Sequence, residues 1–153
     1  MSEHVATIEW SNTSNEMAYT SYPRDHVWRF EDGDGAAPVE VAASAAPGYL
    51  GNPGRVDPEQ ALVGALSSCH MLTFLALSSK GGHVVLKYLD RAVGRLEKNK
   101  DGALAITRVE LRPEITFAPG TEPDEAALAS LHHKAHELCF IANSVRTEVT
   151  VKA

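Results

Sequence analysis

The longest apolar stretch of the chain, residues 57–80, predicts a single long helix. Asp57 suits the N-cap, because its carboxylate can accept from backbone N–H groups two or three residues on. Pro58 suits the first helical position, and Gly81 and Gly82 supply a stop signal at the other end. Since almost no polar face remains between these caps, we expect the helix to be buried, in a domain core or in a subunit interface.

The rest of the pattern predicts strands around a second helix. An apolar stripe at i, i+3/i+4 spacing predicts this helix from about Glu125 to about Phe140, and Asp101-Gly102 predicts a hairpin. Strands, a helix, more strands, a helix and a strand indicate an α+β fold in a single domain over residues 1–153. A loop is predicted at 31–38. The predicted strands are 5–10, 18–22 and 27–30 (a strand pair or one interrupted strand), 39–43, 84–96, 104–117 with a bulge expected at Pro113, and 145–151. The stripe of the second helix comprises Ala127, Leu128, Leu131, Ala135, Leu138 and Cys139.

Composition and charge narrow the class of protein. With 153 residues, 44% hydrophobic and 22% charged, the chain is long enough for one globular core. A net charge of −6 argues against a nucleic-acid or anionic-membrane partner. The first ten residues lack the basic and apolar regions of a signal peptide, and polar residues at 67–70 interrupt the central helix too much for a membrane span. We therefore expect a cytoplasmic protein.

The chain contains two cysteines, Cys69 in the middle of the predicted central helix and Cys139 near the end of the second helix. In a reducing compartment such a pair seldom forms a structural disulfide, so redox chemistry and metal binding are alternatives to an inert buried thiol. A reactive cysteine must be a thiolate, which burial in an apolar helix disfavours. The site would therefore need a nearby cation, and Arg24, beside Pro23, is a candidate.

A metal site is one alternative for these residues. His132, His136 and Cys139 fall at i, i+4 and i+7, on one helical face. With Cys69 or His70 as a further ligand, they would form the zinc site of a zinc-stabilised binding module. The sequence contains no Cys-x-x-Cys pair and no compact chelating loop, however, and histidines on an exposed helix face need no function. Solvated surface histidines are therefore the favoured interpretation.

Three stretches of the chain resemble one family. DPEQALVGALSSCHMLTFLAL, HELCFIANSV and SYPRDHVWRF are similar to the OsmC/Ohr family, the osmotically inducible protein C and organic hydroperoxide resistance proteins, and within it to the OsmC-like branch. The resemblance covers essentially the whole chain, and its most specific element is Glu59 ten positions before Cys69, with a second cysteine at a helix end. It implies an OsmC-like α+β fold, with an antiparallel sheet, a long buried central helix and a second helix. It also implies an intertwined homodimer with two active sites at the interface.

The resemblance also implies an activity, the thiol-dependent reduction of organic hydroperoxides without metal, haem or flavin. By position, Cys69 corresponds to the peroxidatic cysteine and Cys139 to the resolving cysteine that forms a disulfide with it. Arg24 corresponds to the arginine that stabilises the thiolate, and Glu59 to the glutamate that orients this arginine. The implied reductant is an external dithiol, such as a lipoyl group or a lipoylated protein. A cysteine-pair redox sensor without efficient turnover is the alternative.

Helix geometry adds a prediction about assembly. On one straight helix Glu59 and Cys69 lie about 15 Å apart, farther than either side chain reaches. Two copies with antiparallel central helices would bring Glu59 of one copy beside Cys69 of the other, and Gly64, midway between them, would let the backbones approach. We therefore predict shared active sites about a two-fold axis near Gly64.

An apolar lining of these sites would favour alkyl or aryl hydroperoxides over hydrogen peroxide. The predicted lining residues are Met71, Leu72 and Phe74.

Overall fold

The structure is a computed structural model that describes residues 1–31 and 37–152. The chain forms two compact units, Met1–Ala61 and Leu62–Ala153, which are described separately below. The predicted α+β class is confirmed, since the described residues form eight strands and two α-helices. The interpretation of the chain as a single domain stays a prediction. Of the loop predicted at 31–38, residues 32–36 lie outside the described residues. The strands are β1 (Val5–Glu9), β2 (His26–Glu31), β3 (Val39–Ala43), β4 (Val85–Asp90), β5 (Val93–Lys98), β6 (Leu104–Leu111), β7 (Pro113–Phe117) and β8 (Glu148–Val151); the helices are α1 (Pro58–Lys80) and α2 (Glu125–Leu138).

The first unit contains an antiparallel sheet in the order β1-β2-β3. The strand predicted at 18–22 is wrong, because these residues form a turn in which the Ser21 and Tyr22 N–H groups both donate to the Ala18 carbonyl at 3.0 Å. Pro23 follows the turn and has no N–H group to continue a strand ladder. The other strands predicted in this unit are confirmed within one residue at each end.

α1 begins and ends as the sequence predicts. Asp57 Oδ1 accepts from the Gln60 N–H at 2.7 Å while Gln60 Oε1 accepts from the Asp57 N–H at 3.3 Å, which forms a reciprocal cap. At the carboxyl end, Gly82 has a φ of 78°, in the left-handed region that terminates helices and favours glycine. By length and composition alone α1 could also cross a membrane, a property that the core helix of a soluble protein shares.

Only one stripe of α1 is buried by the chain itself. Residues four apart along the helix fill it, and the opposite face is open to solvent, with Leu72 61% exposed. The expectation of a helix covered on all sides is therefore wrong for the single chain, and its alternative, a subunit interface, stays a prediction. The buried stripe comprises Leu66, His70, Phe74 and Ser78.

The second unit contains two sheets, β4-β7 and β5-β6-β8, of which the β6–β8 pair is parallel and the others are antiparallel. The long strands predicted at 84–96 and 104–117 are each divided in two, and the halves belong to different sheets. Asp90 lies at this division, where its Oδ1 accepts from the Arg112 N–H at 2.7 Å. Pro113 then starts β7 with no N–H group of its own. The hairpin predicted at Asp101-Gly102 is confirmed between β5 and β6.

The core of the second unit lies between α1 and the β5-β6-β8 sheet. Leu66 of α1 packs with Val109 and Leu111 of β6, and all three are fully buried. Gly94 on β5 lies directly under the helix, because a Cβ atom there would come within 2.4 Å of Val63 Cγ2. This close approach fixes α1, and with it Cys69, against the sheet.

α2 is capped by Asp124, whose Oδ1 accepts from the Ala127 N–H at 2.8 Å, and it ends two residues before the predicted end. Its buried face differs from the predicted stripe. Leu138 is exposed, whereas His132 is buried and only 5% exposed. The expectation of solvated histidines is therefore wrong for His132, and His136 is half-buried. The neighbouring His133, whose side chain is 73% exposed, does face solvent.

Candidate active site

The two cysteines come from the two helices of the second unit. Cys69 lies half-buried in the middle of α1, and Cys139 is the C-cap of α2, only 1% exposed. Both are free thiols, and their side chains lie next to each other, close enough for Cys69 to raise the pKa of Cys139. The structure thus brings together two residues that are seventy positions apart in the sequence. Of the predicted apolar lining, Phe74 is fully buried in the core and cannot face a ligand.

The surroundings of Cys139 keep it a thiol. Burial is the main cause that raises its pKa above the usual range, and the neighbouring Cys69 side chain raises it further. The Ala142 N–H donates to Cys139 Sγ at 3.4 Å and opposes this shift. At neutral pH Cys139 is therefore protonated and shielded, whereas Cys69 is the more accessible sulfur of the pair.

Arg24 belongs to the first unit, on the segment just before β2. Its guanidinium donates to the Tyr22 carbonyl at 2.6 Å and to the Tyr19 carbonyl. The guanidinium carbon also lies 3.7 Å from the centroid of the Tyr22 ring, a cation–π contact. Sequence reasoning missed both tyrosines, because neither belongs to a spacing pattern that would mark them. They leave the guanidinium ordered on the turn at residues 18–22.

The backbone of Arg24 is held by the next strand. Trp28 Nε1–H donates to His26 Nε2 at 2.8 Å. An indole N–H can only donate, so His26 Nε2 must accept and the hydrogen of the neutral ring is on Nδ1. His26 Nδ1 lies 2.8 Å from the Arg24 carbonyl and donates to it. The His26–Trp28 pair therefore anchors Arg24 to β2.

Glu59 lies half-buried in the first turn of α1, as predicted. Its Oε2 is buried and has no hydrogen-bond partner within residues 1–31 and 37–152. The ion pairs in this part of the chain do not join Glu59 to Arg24, so the structure does not pair these two predicted residues. A buried carboxyl oxygen without a partner is costly, and this oxygen is well suited to receive a cation.

The zinc-site alternative is not supported by a ligand set among the residues that the structure describes. Within the described residues no group of three or more His, Cys, Asp or Glu side chains is arranged to hold a metal ion. Two of the candidate ligands instead contact each other, since His70 Nε2 lies 3.1 Å from His132 Nδ1.

Comparisons with known proteins agree with this fold. A sequence profile described as OsmC-like protein matches residues 51–153. An OsmC-like protein of unknown function from Vibrio cholerae O1 biovar eltor is 45% identical, with a TM-score of 0.90 over 99% of both chains. A search of curated proteins finds no match.

Two more distant solved structures share the fold. An organic hydroperoxide resistance protein OsmC from Legionella pneumophila is 17% identical, with a TM-score of 0.70 over 99% of this chain and 95% of its own. An organic hydroperoxide resistance protein from Elizabethkingia anophelis is 20% identical, with a TM-score of 0.69 over 99% of this chain and 94% of its own. The predicted family is confirmed by the profile match and by the 45% identical structure. The chain therefore belongs to the OsmC-like protein family.

Proposed function

We propose that this protein is a cytoplasmic thiol-dependent peroxidase that reduces organic hydroperoxides to alcohols. The observation that carries the proposal is the contact between a half-exposed Cys69 and a buried Cys139 across two helices. Membership of the OsmC-like family supports it, as do the names of the two distant structures, both organic hydroperoxide resistance proteins.

The proposed reaction uses the two sulfurs in turn. The Cys69 thiolate attacks the terminal oxygen of the hydroperoxide, the O–O bond breaks, and the alkoxide takes a proton and leaves as the alcohol. Cys69 is then a sulfenic acid. Cys139 gives up its proton, and its thiolate attacks the sulfur of the sulfenic acid. The hydroxyl group leaves with that proton as water, and a disulfide forms. An external dithiol, free or carried by a lipoylated protein, reduces the disulfide and is itself oxidised to a disulfide.

The exposure of the two sulfurs supports this assignment of roles. The thiolate is the nucleophile in both steps, and the raised pKa of Cys139 makes it the poorer first attacker. Its burial also protects it from direct reaction with the peroxide. Cys69, half-buried on a helix with an open face, is the better candidate to meet the substrate.

Arg24 is proposed to stabilise the Cys69 thiolate, and Glu59 is proposed to orient Arg24. A guanidinium stabilises an adjacent thiolate and can donate to the peroxide oxygen on which charge develops. Arg24 is suited to this work because His26 holds its backbone. Glu59 would orient the guanidinium through its unpartnered carboxylate oxygen.

An intertwined homodimer is the proposed assembly. α1 is continuous over the interval between Glu59 and Cys69, so these residues are about 15 Å apart along its axis. The face of α1 that the chain leaves open consists mainly of small residues, which let two helices approach closely. On β1 the apolar side chains of Val5 and Ile8 are also exposed. The open face of α1 includes Gly64, Ala65, Ser68, Leu72 and Ala76.

The activity is tested by steady-state consumption of several hydroperoxides with two reductants. We expect cumene hydroperoxide to be consumed with dihydrolipoamide as reductant, and much more slowly with glutathione. Hydrogen peroxide should react more slowly than cumene hydroperoxide, since Leu72 on the open face of α1 favours an apolar substrate. If neither reductant supports turnover, the proposed peroxidase activity is contradicted. Stoichiometric oxidation of the cysteines without turnover would favour the redox sensor.

Cys139→Ser is expected to allow one turnover and then stop. The Cys69 sulfenic acid would still form, but the chain would have no second thiol to convert it to an internal disulfide. Mixing with one equivalent of cumene hydroperoxide, followed by trapping with dimedone and intact-mass analysis, measures the stalled species. Undiminished multiple turnover with dihydrolipoamide would remove Cys139 from the mechanism.

A further inference from the structure

The contact between α1 and α2 contains a buried pair of histidines. His70 on α1 is 1% exposed and His132 on α2 is 5% exposed. Their rings are stacked with centroids 5.4 Å apart and an interplanar angle of 6°, and His70 Nε2 lies 3.1 Å from His132 Nδ1. Two buried imidazoles are a costly way to fill a helix contact, because an apolar side chain would need no partner.

Both rings are neutral when they form this bond. One facing nitrogen must donate and the other must accept, so the two rings adopt complementary tautomers. Burial is the main cause that lowers the pKa of His70 to about 4, and the nearby His132 and His136 lower it further while Asp90 opposes them. Burial also lowers the pKa of His132. The pair is therefore intact throughout the neutral pH range.

The ring of His132 is held on two sides by α1. Phe74, one turn after His70, stacks against it with centroids 4.5 Å apart and an interplanar angle of 28°. His132 is thus inserted between two residues of the buried stripe of α1. This arrangement fixes the position of α2 against α1 both by shape and by a directional hydrogen bond.

The same two helices carry the two sulfurs. Cys69 precedes His70 on α1, and their side chains leave the helix about 100° apart. Cys139 follows His132 by seven residues, or about 10 Å along α2. The histidine contact and the cysteine contact are therefore two separate points at which α2 meets α1. Fixing the first point determines how Cys139 approaches Cys69 at the second.

We propose that His70 and His132 are positioning residues for the disulfide-forming step, and that their hydrogen bond sets the approach of Cys139 to Cys69. Disulfide formation tolerates little error, since the Cα atoms must come within a narrow range of separations and the dihedral angle is specific. The inference rests on the proposed function, in which this disulfide follows peroxide attack. It assigns the pair to the second step only, because the first step needs Cys69 and the substrate but not Cys139.

The test compares His132→Phe, which keeps a buried ring against Phe74 but removes the hydrogen bond, with three other proteins. His132→Asn is the conservative variant, because its side-chain amide can still hydrogen-bond His70. His133→Ala is the matched control, next in sequence but exposed to solvent. His70→Leu removes the other partner of the same bond, carries the same expectation, and replaces His132→Phe if that variant does not fold.

The first measurement is independent of peroxide. The Cys69–Cys139 disulfide is equilibrated with glutathione redox buffers, which gives the effective concentration of one thiol toward the other. We expect it to fall by about tenfold or more in His132→Phe, to recover in part in His132→Asn, and to be unchanged in His133→Ala. Equal effective concentrations in folded His132→Phe, folded His70→Leu and wild type would overturn the positioning role.

The second measurement separates the two steps after mixing with one equivalent of cumene hydroperoxide. Peroxide consumption should be unchanged within about twofold in His132→Phe, while disulfide formation slows by about tenfold or more. Equal slowing of both steps would overturn the assignment to the second step. If the wild type consumes no peroxide, the proposed function fails, yet the redox-buffer result still decides whether the histidines position the sulfurs.

Discussion

Replacing Cys69 by serine is expected to reduce the consumption of cumene hydroperoxide to the rate of the uncatalysed reaction. Serine is close to cysteine in volume, so the half-buried site on α1 should be retained. Its hydroxyl does not ionise near neutral pH and cannot accept the oxygen as a sulfenic acid. Steady-state peroxide consumption with dihydrolipoamide as reductant measures the loss.

The matched control for this variant is Ser79→Ala, which changes an exposed residue near the carboxyl end of the same helix. It should retain the wild-type rate, and both proteins should show the wild-type circular dichroism spectrum and thermal midpoint. The contrast with Cys139→Ser is also informative, because that variant keeps the first turnover while Cys69→Ser loses it. A Cys69→Ser protein that reduced cumene hydroperoxide at the normal rate would show that another group performs the chemistry.

The helices could be predicted from sequence because their signals are local. The cap at Asp57 and the stop at Gly82 both depend on residues within a few positions of the helix ends. The hairpin at Asp101-Gly102 is likewise local. Each of these predictions needed only backbone hydrogen-bonding rules, and each is confirmed.

The division of the long strands could not be predicted, because it depends on distant contacts. Asp90 accepts from the backbone of Arg112, twenty-two residues later, at the point where the chain passes between sheets. Register shifts between Val85 and Lys87 and between Arg95 and Leu96 also obscure the alternation of the sequence. A shift of one residue exchanges the two faces of a strand, so no single period fits residues 84–96.

The candidate site shows the same contrast between local signals, which the sequence reveals, and contacts between distant residues, which it does not. The sequence indicates Cys69 and Cys139 because few residue types support thiol chemistry, and the structure places their side chains next to each other. The burial of His132 was not foreseen, because histidine reads as polar in an amphipathic pattern. Its place inside the protein depends on His70, sixty-two residues away. Only the packing of the two helices reveals it.

Replacing Gly64 by leucine is expected to convert the proposed dimer into a monomer and to remove most of its activity. A Cβ atom at Gly64 would meet nothing within 4 Å in the chain, and the position is exposed, so one copy has space for a side chain there. Alanine or leucine in place of a helical glycine should even stabilise the isolated helix, by about 0.5–1 kcal/mol. At a close crossing of two α1 helices, by contrast, the added side chain would force the backbones apart. Analytical ultracentrifugation measures the change in mass.

Activity should be lost together with the dimer, because the proposed site takes Glu59 from one copy and Cys69 from the other. Ala129→Leu, which introduces the same side chain at an exposed position of α2, is the matched control and should leave both mass and turnover unchanged. Gly64→Ala, with its single added methyl group, should weaken the dimer less than Gly64→Leu. If Gly64→Leu remained dimeric, the two-fold axis would lie elsewhere along α1. A Gly64→Leu monomer with full peroxidase activity would instead show that one copy contains the complete site.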